Sequence, residues 1–116
     1  MMSYKREKLI KIMNEIVNFC MKINMRDFTV DFSSHGKITK MSVEGYCENP
    51  PVEKLKRLEQ ILNRPRQEEL EELYWSLMGD PHEKNDLEMI GVMVDSGKVE
   101  WEDNIVKISI YREKRH

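Results

Sequence analysis

The side chains best suited to chemistry in this 116-residue chain are three histidines, two cysteines and a run of glutamates. A metal centre needs ligands clustered at workable spacing. His35, His82 and His116 are scattered and pair with neither Cys20 nor Cys47. The spacings therefore call for no metal and no cofactor. His82, in Asp80-Pro81-His82-Glu83, reads as a loop histidine between two helices. Ser33-Ser34-His35 sets hydroxyls beside an imidazole, the pairing a nucleophile and its base require. Neighbouring strand residues face opposite ways, however, and this stretch reads as a turn. There is no Gly-x-Ser-x-Gly elbow and no Cys–His signature. A small hydrolytic enzyme is thus the weakest functional reading, because no site can be assembled.

Glu68, Glu69, Glu71 and Glu72 fall on the polar side of a helical segment, near its start. They are expected to form a solvated face that complements the helix dipole. Phosphate loops group their glycines ahead of a helix; the five glycines here are dispersed. Gly36, Gly79 and Gly97 have turn or helix-closing roles. Gly45 near a strand end and Gly91 inside a helix do not, so close packing is expected at both. Tyr46, Trp101 and Tyr111 lie in or near strands, but Glu100-Trp101-Glu102-Asp103 is too acidic for an RNA backbone. The net charge of −2 gives no case for nucleic acid or an anionic membrane. The basic run Arg112 to His116 reads as a solvated tail.

These residues are set by a regular succession of elements. Leu9, Ile12, Met13, Ile16, Val17, Cys20 and Ile23 recur at helical spacing, predicting a helix over 4–23 with Ser3 as its cap. Lys11, Asn14, Glu15 and Lys22 interrupt its apolar stretch. Phe28, Val30 and Phe32 alternate with polar residues as a half-buried strand does. Ser33 to Gly36 supplies the turn, and a return strand runs over 37–46. Ile38 falls on the opposite parity to Met41 and Val43, which implies either a bulge or a cover over an exposed edge. Pro50-Pro51, with Asn49 as cap, opens a helix lined by Val52, Leu55, Leu58, Ile61 and Leu62. A second helix carries Leu70, Leu73, Tyr74, Leu77 and Met78, and the two form a helical hairpin over 51–79. Asn85 and Glu88 form a capping box for a last helix closed by Gly97. Val99 and Trp101, an Asp103-Asn104 turn, then Val106, Ile108 and Ile110 make a second hairpin.

The fold class expected is α+β: a two-layer sandwich of order αββ-αα-αββ, in one domain over 1–116. Two hairpins join edge to edge into a four-stranded, mostly antiparallel sheet, since isolated hairpins are barely stable. Helices cover one face only. Two cysteines without a signal sequence make no disulfide framework, and Cys20 reads as a small buried hydrophobe. With no run long and apolar enough to span a bilayer, the chain is expected to be cytoplasmic and without an anchor.

Nine methionines are many for this length. Most fall on or beside apolar faces as flexible core filling, and some suit an adaptable binding surface. Trp75 lies off the centre of its helix face, as an interface anchor does. The leading reading is a small cytosolic, non-catalytic interaction or regulatory module. Its partner is a protein, a second copy included, and its surface is the middle helical pair at Leu70, Tyr74, Trp75 and Met78.

The order helix–hairpin, variable middle, helix–hairpin resembles the histidine-kinase-type ATPase fold (the GHKL superfamily), including its anti-sigma-factor branch. In Asn14-Glu15-Ile16-Val17-Asn18, Asn18 matches that family's magnesium-binding Asn. Asn14 occupies its Glu position, with Glu15 displaced by one. Residues 86–111 are similar to its closing helix and terminal hairpin. Its glycine boxes are replaced by Glu44-Gly45-Tyr46-Cys47-Glu48-Asn49 and by Glu83-Lys84-Asn85-Asp86. The resemblance implies a reduced, non-catalytic relative. The alternative function it carries is nucleotide binding near Asn18, Glu44 and His82.

Overall fold

The computed structural model describes residues 5–77 and 87–114, the side chains of residues 74, 76 and 77 excepted. The chain runs α1 (Lys5–Lys22), β1 (Arg26–His35), β2 (Ile38–Tyr46), α2 (Val52–Leu62), α3 (Glu68–Leu77), α4 (Leu87–Met93), β3 (Ser96–Glu102) and β4 (Ile105–Glu113). The strands form one four-stranded antiparallel sheet in the order β1-β2-β4-β3, with the helices packed on one face. The fold is therefore α+β, as the periodicities predict. The two hairpins join through β2 and β4, which pair from Ile38↔Glu113 to Tyr46↔Ile105.

Strand alternation sorts the two faces. Met41, Val43, Val99, Val106, Ile108 and Ile110 point at the helices and are buried. Lys40, Glu44, Lys107 and Tyr111 lie on the other face, where Lys40 stacks on the Tyr111 ring at 5.7 Å. From the helices come Ile12, Ile16, Cys20, Leu55, Leu58, Leu62, Ile90 and Met93, all within one apolar cluster. Burying each such side chain contributes roughly 1.5–3 kcal/mol. Met25, Met41, Met89 and Met93 are buried in it, so these methionines are core filling.

Both turns take residues that tolerate positive φ. Asp103 (φ 50°) and Asn104 (φ 65°) form the expected two-residue turn. The first turn is shorter than expected. Ser33, Ser34 and His35 continue β1, and only Gly36 (φ 59°) and Lys37 turn. Ile38 sits on the outer face with no bulge beside it; the irregularity lies between Arg26 and Thr29, where Asp27 is left-handed. There Phe28 crosses Gly45 so closely that a Cβ on the glycine would fall 2.3 Å from the Phe28 Cβ.

Three other expectations are corrected. Asn49 does not cap α2: it has φ 53°, and Pro51 holds the cap position without a side-chain bond. α2 and α3 do not pair as a hairpin, because α2 packs on β3 and α4, and α3 packs on α4. Gly91 permits this, since a Cβ there would lie 2.7 Å from the Ile61 carbonyl oxygen of α2. Gly97 does not close α4, which ends at Met93; it belongs to β3, against the Leu62 side chain. Ser3, Gly79 and Asn85 lie outside the described residues.

Candidate functional site

The two edges of the sheet are treated differently. β3 is blocked by α2. Asn63 Nδ2 donates to the Gly97 carbonyl at 2.8 Å, and its Oδ1 accepts from the Gly97 N–H at 3.1 Å. Glu59 Oε2 accepts from the Val99 N–H at 2.8 Å. Side chains thus occupy the Gly97 and Val99 groups that a further strand would use. No described strand or side-chain bond blocks the outer side of β1.

β1 is also where the helix layer falls short. Val30 and Phe32 lie on the helix side, opposite Val43 and Met41, yet they remain 44% and 51% exposed. α1 stands beside them without covering them, leaving Ile10 53% exposed. The result is an open groove of about 800 Å³. Leu9, Ile10 and Met13 form one wall, Val30 and Phe32 the floor, and Lys5, Arg6 and Glu7 the rim. An apolar floor beside a row of backbone donors and acceptors suits an extended chain that adds a strand.

A second constellation lies between α1, α3 and β4. Glu71 is only 3% exposed, although its acidic run was expected to be solvated. Arg112, placed by its sequence in a basic tail, reaches it from within β4. Its two terminal nitrogens donate to the two Glu71 oxygens at 3.1 Å each. Lys8 Nζ donates at 2.9 Å and Arg66 Nε at 3.4 Å. Arg66 also holds Asp95 Oδ2 at 3.1 Å and the Glu113 carbonyl at 2.6 Å. Lys8 bonds Glu72 as well, and Arg112 donates to the Met93 carbonyl. Burial works against the charge on Glu71, but the Arg112 and Lys8 bonds outweigh it and hold its carboxyl below the usual carboxylate range. Burial likewise opposes charge on Lys8, and Glu72 and Glu71 raise it above the ordinary lysine value. Every oxygen of Glu71 is spoken for, so this cluster ties elements together and leaves no position for a substrate.

Beside it, Lys11 Nζ donates to Glu15 Oε2 at 2.8 Å, while Glu15 Oε1 is buried with no hydrogen-bond partner. Both interrupt the apolar stretch of α1, yet both are buried. The two thiols are free and buried, with Cys47 Sγ donating to the Ile23 carbonyl at 3.3 Å. Burial, aided by the nearby Cys47, pushes Cys20 up to about 12, and burial raises Cys47 also. Neither is a nucleophile at neutral pH. Among the described residues, no three His, Cys, Asp or Glu side chains are grouped to hold a metal.

The residues singled out from sequence do not converge. Leu70 packs against the core, Trp75 is half-buried and Leu73 is 49% exposed. Met78 and the Tyr74 side chain lie outside the described residues. Asn18 is exposed on α1, whereas Glu44 projects from the opposite face of the sheet beside Lys107. His82 lies outside the described residues. The alternation in β1 puts Val30 and Phe32 on the helix side, but nothing local in the sequence marks the strand as uncovered, so the groove is not legible there. No protein-family model matches the chain, and no curated protein matches its sequence.

Proposed function

We propose that this chain is a small, non-catalytic protein-interaction module of the cytosol that receives its partner along β1. One observation carries the reading: of the two sheet edges, β3 is closed by Asn63 and Glu59, while β1 is left open by the described residues and flanked by exposed Val30, Phe32 and Ile10. Natural sheets blunt their edges to prevent association. An edge left open beside an apolar groove marks a place where association is wanted. Two buried reduced thiols support a reducing compartment. No helix among the described residues is long and apolar enough to cross a membrane.

Quantitative affinity capture with wild type, Val30→Lys and Trp75→Ala tests this. Recovery of the partner, a second copy included, should fall roughly tenfold or more with Val30→Lys, with thermal stability retained because the side chain is half exposed. Loss with Trp75→Ala alone would move the surface to the middle helices. Recovery unaffected by Val30→Lys would remove β1 from the function.

A further inference from the structure

The open edge specifies what can pair with it. His35 and Ile38 face each other across the Gly36-Lys37 turn. A two-residue turn is closed by a hydrogen-bonded pair, and such pairs alternate along an antiparallel ladder. Thr29, Asp31, Ser33 and His35 therefore direct their N–H and C=O groups at β2. Val30, Phe32 and Ser34 direct theirs outward. The bond from the Lys114 N–H to the Lys37 carbonyl, 2.6 Å, places the same alternation on the β4 side of β2. Each outward-facing residue is also one whose side chain lies on the helix side, so a strand added here meets backbone and apolar surface together.

Building on the reading of β1 as the docking edge, we propose that its occupant is a second copy of this chain, the two β1 strands pairing antiparallel about a two-fold axis at Phe32. The regular part of β1 runs from Thr29 to His35, beyond the irregularity at Arg26/Thr29, and Phe32 is its midpoint. Self-pairing about Phe32 uses all of it. Pairing about Val30 would run into the irregular end. Pairing about Asp31 would oppose two aspartates, which is destabilising. About Phe32, Asp31 meets the partner's Ser33 and Thr29 meets the partner's His35, so no like charges are opposed.

The groove rim carries the same symmetry. Lys5, Arg6 and Glu7 stand together on it, two cations beside one anion. A mixed rim complements itself under a two-fold operation, whereas a rim of one sign would ask for an oppositely charged partner. On the helix side the two Phe32 rings meet at the axis, and each copy supplies the apolar cover that Val30 and Phe32 lack in the other. The product is a continuous sheet whose outer ends are both β3, already closed by Asn63.

Sedimentation equilibrium of the full chain tests this. Wild type should show a reversible dimer. Phe32→Lys should weaken self-association by roughly 100-fold, as a charge pointing inward at an edge does. Phe32→Pro is the sharper variant. It removes an N–H that serves only the added strand, so the dimer should be lost while far-ultraviolet circular dichroism is kept. If either variant fails to fold, the pair Asp31→Cys with Ser33→Cys carries the test. Opposed residues at such a position have Cα atoms about 4.5 Å apart, within disulfide range. Oxidation should give a covalent dimer with the double variant and with neither single one. A wild type that stays monomeric at all concentrations, or a dimer indifferent to Phe32, overturns self-pairing. A monomer whose foreign partner is still lost on Val30→Lys overturns self-pairing alone. A monomer indifferent to β1 in both assays overturns the docking role too.

Discussion

The carboxylate of Glu71 on α3 and the guanidinium of Arg112 on β4 meet in two parallel bonds of 3.1 Å, joining residues 41 positions apart in the chain. Lys8 of α1 reaches the same carboxylate from 63 positions away. One carboxylate thus holds α3 to the first helix and to the sheet. Charged clusters of this kind are weak evidence for stability when intact, since desolvation offsets much of the attraction. Removing a single partner is another matter, because the others are left buried and uncompensated.

Glu71→Gln should therefore destabilise the chain by about 3–5 kcal/mol, a large share of the stability of an ordinary domain. Urea unfolding followed by circular dichroism measures it. A loss below about 1 kcal/mol would mean that water reaches Lys8 and Arg112.

The same bonds set a pH window. The Glu71 pKa is depressed in the folded state, so its contribution is present above the ordinary carboxylate range and is lost as pH falls through the folded value. The Lys8 pKa is raised, so its contribution is complete below 10.5 and is lost as pH climbs through the folded value. Thermal midpoints should be highest between these limits and fall off on the acid side. Lys8→Met should flatten the alkaline limb, which a pH series of melting curves would show.

Asn63 closes the far edge of the sheet. Asn63→Ala deletes two hydrogen bonds to Gly97 and should cost about 1–2 kcal/mol. It should also open β3 as a second edge, so association beyond the wild-type state is expected. Light scattering after size-exclusion chromatography checks the second effect independently of the first.

Gly91 sits where α4 crosses α2. Alanine is intrinsically the better helix former by about 1 kcal/mol. Gly91→Ala should nonetheless destabilise, by about 1–3 kcal/mol, because the added carbon would lie 2.7 Å from the Ile61 carbonyl, which belongs to a helix backbone and cannot swing aside. A raised thermal midpoint would show that α2 and α4 are further apart.

Local signals find every described element, though not the end of β1 or the boundary between α4 and β3, because helix and strand repeats and the Asp103-Asn104 turn have their cause within a few residues. The meeting of two hairpins in one sheet also follows, since neither is stable by itself. Beyond that range the pattern misleads. Glu71, Arg112, Lys8, Lys11 and Glu15 look like solvent-facing charges, and each is buried; for Glu71, Arg112 and Lys8, partners from distant elements make burial affordable. Val30 and Phe32 look like core and are exposed, because nothing within β1 records where α1 will lie. The candidate site is of this second kind. Whether an edge is closed depends on Asn63 and Glu59 arriving from another helix, and only the packed arrangement of helices over the sheet settles which strand is left open.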